Sequence, residues 1–354
     1  MVMLDRSSAE ERHIEEIRKI KKEMGDKLVI LAHHYQRIDI VDLGDFIGDS
    51  FELSEKAAHS REAKNIVFCG VHFMAESAAI LAGPHQVVQI PDEHAGCPMA
   101  DMADIHNVEK AWEEIASVID TAAITPIVYM NSDADLKAFC GRNGGLVCTS
   151  SNAPAAFDWA FGRSEKVFFF PDQHLGRNTG NERGIPREEM IVWDPQKPFG
   201  GNSSEEIKRA RIILWDGYCL VHTHFTTKHV REMRKQFPEA KIVVHPECHE
   251  EVVALSDAVG STGYIVKYVQ EAAPGSTIIV GTEINLVKRL ARENPDKKVI
   301  ELHDSLCTNM FKIDLKKLLW TLENIGTVNV VTVSDTIKED ARKALKRMLD
   351  LPRP

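Results

Sequence analysis

Short apolar segments alternate with amphipathic helical segments along most of this 354-residue chain. Residues 27–32, 65–70 and 86–90 are apolar runs of strand length, and helical sequence lies between them. Parallel strands need long crossover connections, which are usually helices, so this alternation predicts parallel sheets covered by helices. We therefore predict an α/β fold.

The alternation repeats, which predicts three similar units. Further strands are expected at 124–130, 145–148 and 166–170, and again at 241–244, just before Gly260 and at 277–280. The segment Pro91-Asp92-Glu93-His94 matches Pro171-Asp172-Gln173-His174, 80 positions later. The second and third predicted strands of each unit end 21 residues apart, at Gly70 and Pro91, Ser150 and Pro171, and Gly260 and Gly281. Two unrelated doubly wound domains are the alternative, and the matched segments favour three units.

These units predict the domain boundaries. We expect a first αβα domain over residues 1–104, a second over 105–223, a third over 224–313, and a C-terminal packing segment over 314–354. Residues 176–204 are rich in Gly, Pro, Asn and Arg, so we expect a long loop or small insertion there. Each predicted strand ends in polar residues, and open α/β sheets bind their ligands at that edge.

Charge and composition narrow the class of function. The formal net charge is −10, whereas a nucleic-acid-binding protein normally presents a basic face. The N-terminus has no signal-peptide pattern, and no apolar run reaches 18 residues, so we predict a cytoplasmic protein without membrane partners. Seven scattered cysteines, an odd number, do not form a disulfide framework.

Three cysteines stand out because each follows the last predicted strand of its unit in a turn-like setting: Cys97, Cys219 and Cys307. Cys219 also begins a Cys-x-x-His pair with His222, which is metal-ligand spacing. Three thiolates and His222 would suit tetrahedral zinc. A 4Fe–4S cluster held by three thiolates would instead keep one iron open. For the other cysteines we expect buried structural roles: Cys69, Cys140, Cys148 and Cys248.

Several motifs together resemble the quinolinate synthase family over residues 30 to 315. They are Ala32-His33-His34-Tyr35-Gln36, Gly48-Asp49-Ser50, Gly96-Cys97-Pro98-Met99-Ala100, Tyr129-Met130-Asn131, Cys148-Thr149-Ser150-Ser151-Asn152-Ala153, Phe170-Pro171-Asp172-Gln173-His174-Leu175-Gly176, His245-Pro246-Glu247-Cys248 and Gly260-Ser261-Thr262-Gly263. The resemblance implies three αβα domains in a pseudo-threefold arrangement around a central 4Fe–4S cluster, with Cys97, Cys219 and Cys307 as its ligands. Many relatives have Pro or a second Cys after the third ligand, whereas this chain has Thr308.

The resemblance also implies the reaction and its partners. Iminoaspartate would condense with dihydroxyacetone phosphate to give quinolinate, phosphate and water, a step of NAD biosynthesis. An aspartate-oxidising enzyme or an aspartate dehydrogenase would supply the imine.

Residue types at the matched positions suggest roles. Glu247 suits a general base whose pKa is raised by burial, Tyr35 and Tyr129 can relay protons, and His222 can orient a leaving hydroxyl. Helix-start hydroxyls and strand-end donors would bind the anionic substrates: His33, Ser50, Asn131, Ser150, His245, Ser261 and Thr262. Helix capping is the alternative role of each serine. The competing functions are another three-domain iron–sulfur enzyme, of diphthamide-synthase-like architecture, and a structural zinc-binding protein.

Overall fold

In a computed structural model, which describes residues 7–352, the strands of this range form three sheets flanked by helices. The predicted α/β class is therefore confirmed. Within the described range, no helix is long and apolar enough to cross a membrane.

The first sheet has the strand order β2-β1-β3-β4, and its neighbouring strands are parallel. Its strands are β1 (Leu28–His33), β2 (Phe46–Gly48), β3 (Asn65–Cys69) and β4 (Val87–Gln89). The helices of this region are α1 (Ser8–Met24), α2 (Ile38–Val41), α3 (Ser50–His59) and α4 (His72–Leu81).

The second sheet has the order β6-β5-β7-β9-β8 and is also parallel. Its strands are β5 (Ile124–Tyr129), β6 (Leu146–Cys148), β7 (Lys166–Phe170), β8 (Met190–Trp193) and β9 (Ile212–Trp215). The helices are α5 (Ile105–Ala116), α6 (Ala134–Arg142), α7 (Ala153–Phe161), α8 (Gln173–Glu182), α9 (Ser204–Arg209) and α10 (Leu220–Thr223). Every residue of β5 and β7 is buried, because helices cover both faces of a parallel sheet.

The third sheet has the order β11-β10-β12-β13. Its strands are β10 (Lys241–Val244), β11 (Ala258–Val259), β12 (Thr277–Gly281) and β13 (Lys298–Glu301). The helices here are α11 (Thr227–Gln236), α12 (Glu250–Ala254), α13 (Thr262–Glu271) and α14 (Ile284–Glu293). Two C-terminal helices follow, α15 (Leu315–Glu323) and α16 (Asp335–Leu349).

The strand orders confirm the repeat and correct its alignment. In each sheet the first strand of the unit lies between the second and the third, and a further strand follows the third: β1 to β4, then β5, β6, β7 and β9, then β10 to β13. The 21-residue spacing is wrong for the first unit, because it overlooks β2, a short strand with two exposed residues out of three. Pro91-Asp92 follows β4 whereas Pro171-Asp172 follows β7, so their match joins non-equivalent strands.

Of the two alternatives expected over residues 176–204, the long loop is wrong, because α8 and β8 occupy much of this range, whereas the added strand β8 agrees with a small insertion. The glycines there mark close packing of α8 on the sheet. A Cβ at Gly176 would lie 2.5 Å from Leu214 and 2.6 Å from Phe169, and one at Gly180 would lie 2.5 Å from Met190. The segment extends the sheet by one strand.

The chain divides into two compact units. Unit 1 comprises the residues up to Cys97, Lys228–Val243 and Thr262–Val333. Unit 2 comprises Pro98–Thr227, Val244–Ser261 and the residues from Ser334 onward. Helix α1 packs on α15 within unit 1, and α16 packs on α6 and β6 within unit 2. The three-domain boundaries given above stay a prediction.

Candidate functional site

Three buried side chains of unit 2 form one hydrogen-bonded group around Glu247. Tyr129 ends β5, Glu247 follows β10, and His222 lies in the short helix α10. The Tyr129 hydroxyl donates to Oε1 of Glu247, and His222 Nδ1 lies 2.6 Å from Oε2. None of the three is more than 4% exposed. Both carboxylate oxygens are therefore engaged in a site closed to bulk water.

The next histidine, His245, is held in one tautomer. The backbone N–H of Glu247 donates to His245 Nδ1 at 3.3 Å, so Nε2 carries the ring proton whenever the imidazole is neutral. That nitrogen lies 3.2 Å from Ser150 Oγ, to which it donates. The His222 ring stacks on His245 with centroids 4.2 Å apart. Four of the predicted site residues of unit 2 thus contact one another in a chain from Ser150 to His222.

The electrostatics of Glu247 differ from the expectation. Burial raises the pKa of Glu247, but the neighbouring charges of His245 and His222 and the donors His222 and Tyr129 outweigh it and lower that pKa to about 2. The prediction of a raised pKa is therefore wrong. Glu247 is ionised at neutral pH because two imidazoles lie beside it, a contact that sequence spacing does not reveal.

Unit 1 contains a second group, built from hydroxyls. Tyr35 follows β1, and its hydroxyl lies 2.8 Å from Thr282 Oγ1 and accepts from Thr262 Oγ1 at 3.0 Å. The backbone N–H of Tyr35 donates to His33 Nδ1 at 3.1 Å. This is the turn seen at His245 and Glu247, so His33 also presents its Nε2 proton. The predicted residues Tyr35, His33 and Thr262 are brought together.

The three predicted serines follow equivalent strands, and helix capping does not explain Ser50 or Ser150. Asp49 caps α3 by accepting from the N–H groups of Phe51 and Glu52, and Asn152 is the N-cap residue of α7. Ser50 and Ser150 are therefore not caps. The predicted residues Ser50, Ser150 and Ser261 follow β2, β6 and β11 respectively, the second strand in chain order of each sheet.

Asn131 lies two residues beyond Tyr129, the last residue of β5. Within residues 7–352 its buried Oδ1 has no hydrogen-bond partner. A buried amide group without a partner costs free energy unless something else binds it. This position suits the predicted contact with a substrate.

The cysteines fall into two classes that match the predicted division. Cys97, Cys219 and Cys307 are partly exposed, whereas the other four are buried. Burial raises the pKa of Cys69 to about 12 and raises those of the other buried thiols well above the usual value: Cys140, Cys148 and Cys248. A metal is bound by thiolates, which burial in apolar surroundings disfavours. The three accessible thiols therefore fit a thiolate-bound group better than the buried four do.

Each accessible cysteine follows the last strand, in chain order, of one of the three sheets. Cys97 follows β4, Cys219 follows β9 four residues after Trp215, and Cys307 follows β13. Cys97 and Cys307 belong to unit 1 and Cys219 to unit 2.

A possible single-ion site overlaps the group around Glu247. Ligand atoms of Cys219, His222 and Glu247 lie within 4.8 Å of one another, the one such group of three or more in residues 7–352. His222 Nδ1 and the Glu247 carboxylate already contact each other at 2.6 Å. An ion bound to both these atoms would have to break that contact.

Two buried carboxyl groups that sequence reasoning missed lie beside the accessible cysteines. Glu283 follows β12 and caps α14, and its Oε1 accepts the Cys307 backbone N–H at 3.3 Å. Burial raises the pKa of Glu283 to about 7, against the opposing hydrogen bonds of Asn285 and Cys307.

Asp172 follows β7, the strand equivalent to β12, and caps α8 by accepting from Leu175 at 2.7 Å. Burial and the charge of Glu247 raise the pKa of Asp172 well above its usual value, against the opposing Cys219 backbone N–H. In the second and third sheets a carboxyl residue lies two positions after the third strand in chain order, and this pattern was the available signal.

Comparison with known proteins gives a consistent result. The family described as Quinolinate synthetase A protein matches residues 15–350. A quinolinate synthase of Corynebacterium glutamicum is 46% identical over 351 residues, covering 98% of this chain and 89% of the relative. A quinolinate synthase of Bacillus mycoides is 48% identical over 344 residues, covering 95% of this chain and 92% of the relative. A quinolinate synthase of Rhodopirellula baltica is 48% identical over 349 residues, covering 94% of this chain and 89% of the relative.

Proposed function

Because this chain belongs to the quinolinate synthetase A family, we propose that it condenses iminoaspartate with dihydroxyacetone phosphate to give quinolinate, phosphate and water. It is an enzyme of quinolinate synthesis. The observation that best supports the proposed chemistry is the buried group of Tyr129, His222 and Glu247, since the reaction must tautomerise a ketone, close a ring and remove water.

In this proposal the Glu247–His222 pair performs proton transfer. With a pKa of about 2, the Glu247 carboxylate alone is a weak base, because effective general bases have pKa values near the working pH. Its hydrogen bond orients the His222 ring, as the carboxylate does in a catalytic triad. His222 then takes and returns protons, Tyr129 relays protons through its hydrogen bond with Glu247, and Tyr35 donates its hydroxyl proton to a substrate oxygen.

We propose that Cys97, Cys219 and Cys307 hold a 4Fe–4S cluster, which their exposure supports. When bound by three thiolates, such a cluster would supply an open Lewis-acid iron that polarises a substrate oxygen or nitrogen. His222 is not a ligand in this proposal, because the three thiolates hold the cluster and His222 transfers protons beside Glu247.

The substrates carry carboxylates and a phosphate, so the proposal assigns anion binding to hydroxyls and N–H donors. Ser50, Ser261 and Thr262 lie at or beside the starts of α3 and α13, where free backbone N–H groups favour anions. Ring protons on Nε2 of His33 and His245 add donors, with Ser150 beside the latter. The amide group of Asn131 completes the set.

A single zinc ion on Cys219, His222 and Glu247 is the competing proposal, favoured by the 4.8 Å grouping of their ligand atoms. Anaerobic purification, with iron, sulfide and zinc counted and quinolinate formation assayed, separates the two. Iron and sulfide with quinolinate production would support the cluster proposal. Stoichiometric zinc without iron would overturn it.

The thiol assignment makes a sharper prediction. Cys219→Ala should lose the bound iron and the activity, whereas Cys140→Ala should retain both, because Cys140 is a fully buried thiol in α6. Iron content per chain and the thiolate-to-iron absorbance measure the difference. Equal iron content in the two variants would show that the wrong thiols were chosen.

A further inference from the structure

Asn178 makes an unusual pair of hydrogen bonds. It lies in α8 and is only 8% exposed. Its Nδ2 donates to the backbone carbonyl of Pro246 and to that of Cys248, both at 2.8 Å. A primary amide nitrogen carries two protons, so one side chain satisfies both carbonyls. These two carbonyls flank Glu247 directly in the sequence.

The held segment is the turn that presents Glu247. Cys248 N–H donates to the His245 carbonyl at 3.1 Å, which closes the turn, and Glu247 N–H donates to His245 Nδ1. With its two flanking carbonyls bound to Asn178 and its own N–H bound to His245, the Glu247 backbone is restrained on both sides. The carboxylate is thereby directed at Tyr129 and His222.

We propose that Asn178 is a positioning residue for the reaction: its amide fixes the turn of residues 245–248, so that Glu247 meets His222 and Tyr129 in working geometry. This inference rests on the catalytic role proposed above for Glu247. The Asn178 side chain binds the backbone of the turn and does not itself contact the side chains of Glu247, His222 and Tyr129. The positional demand is strict, because a displacement of about 1 Å can reduce a rate by about 100-fold.

Two neighbours on the same helix serve as controls. Asn181 donates from its Nδ2 to the side chain of Glu250 at 3.1 Å, and it is exposed. Thr179 is 3% exposed, and its hydroxyl donates to the Leu175 carbonyl within α8 at 2.8 Å. Asn181→Ala removes an amide without touching the turn, and Thr179→Ala destabilises the helix without touching it.

The test compares these variants with Asn178→Ala and the isosteric Asn178→Asp. Asn178→Asp preserves the side-chain volume, so it keeps the packing if Asn178→Ala fails to fold, but it places acceptors against two carbonyls. Both Asn178 variants should lose about 10- to 100-fold in kcat, since the turn that carries Glu247 is displaced. Asn181→Ala should retain its kcat, and Thr179→Ala should lower the melting temperature while retaining its kcat.

A spectroscopic measurement on the metal-free protein gives an independent result. The short His222–Glu247 hydrogen bond should produce a downfield imidazole N–H resonance, which Glu247→Gln identifies by abolishing it. Asn178→Ala should shift or broaden this resonance, and Thr179→Ala and Asn181→Ala should leave it in place. An unchanged resonance together with an unchanged kcat in both Asn178 variants would overturn the inference. Absence of quinolinate production by the wild-type enzyme would instead overturn the proposed function, and the resonance would still test the positioning.

Discussion

Two buried glutamates of this protein ionise in opposite ways. Glu247 in unit 2 and Glu283 in unit 1 are 2% and 0% exposed, and burial raises the pKa of each. The charges of His245 and His222 nevertheless lower the pKa of Glu247 to about 2. Glu283 has only backbone and amide donors, and its pKa rises to about 7.

The difference shows that charged partners decide the ionisation of a buried carboxyl group here. The two donors to the Glu247 side chain are His222 and Tyr129. The Glu283 carboxyl accepts from Asn285, Leu286 and Cys307, so it caps a helix and holds the loop of Cys307. One glutamate therefore has the surroundings of a reactive group and the other those of a structural group.

The largest expected effect is on catalysis. Glu247→Gln keeps the side-chain shape but replaces the charged partner of His222 and Tyr129 with a neutral amide, so kcat should fall about 1,000-fold. Glu283→Gln is the matched control, and it should retain most of its kcat per bound iron. Quinolinate formation, normalised to iron content, measures both. Equal losses would break the distinction between the two glutamates.

The next effect is on the pH dependence of stability. Glu283 has a folded pKa raised above its unfolded value, so its stabilising protonated form is lost as pH rises from about 4.5 through about 7. Over that window the free energy of unfolding of the wild type should fall by about 3 kcal/mol relative to Glu283→Gln. Urea unfolding of the metal-free proteins between about pH 4 and 8 measures the free energy of unfolding, because this range includes both the unfolded and the folded pKa of Glu283. Parallel stability curves for the two proteins would contradict the raised pKa.

The same linkage has the opposite sign at Glu247. Its folded pKa is depressed, so its contribution is present above the unfolded pKa and is lost as pH falls from about 4.5 towards about 2. Glu247→Gln should therefore lose less stability on acidification than the wild type does. Acid unfolding of both proteins provides the measurement.

The smallest effect compares the two tyrosines. Tyr129→Phe removes a donor to a buried carboxylate and should cost about 2 kcal/mol, because hydrogen bonds to charged groups are the stronger ones. Tyr35→Phe removes bonds to the neutral hydroxyls of Thr282 and Thr262 and should cost about 1 kcal/mol. Thermal unfolding of both variants measures the difference, and a larger loss for Tyr35→Phe would reverse the assignment of charged and neutral groups.

Sequence periodicity predicted nine of the thirteen strands of residues 7–352 and missed β2, β8, β9 and β13. Strands β7 and β10 begin and end where expected, because continuous apolar runs are bounded by polar residues. Strand β2 has two exposed residues, whereas β8 is apolar and largely buried but lies in a stretch rich in Gly and Pro, which predicted a loop or insertion instead. The glycines around β8 serve close helix packing, which depends on side chains of other elements such as Leu214.

The sequence alone determined the α/β class, the polar strand ends and the division of the cysteines. Each of these follows from local composition and from the order of elements. Only the tertiary structure decided the alignment of the repeat and the ionisation of Glu247. The donors to its carboxylate, Tyr129 and His222, are 118 and 25 residues away, and a pKa responds to distance in space. The hydrogen bonds of Asn178 likewise span 68 and 70 residues, so folding alone brings that amide to the turn of Glu247.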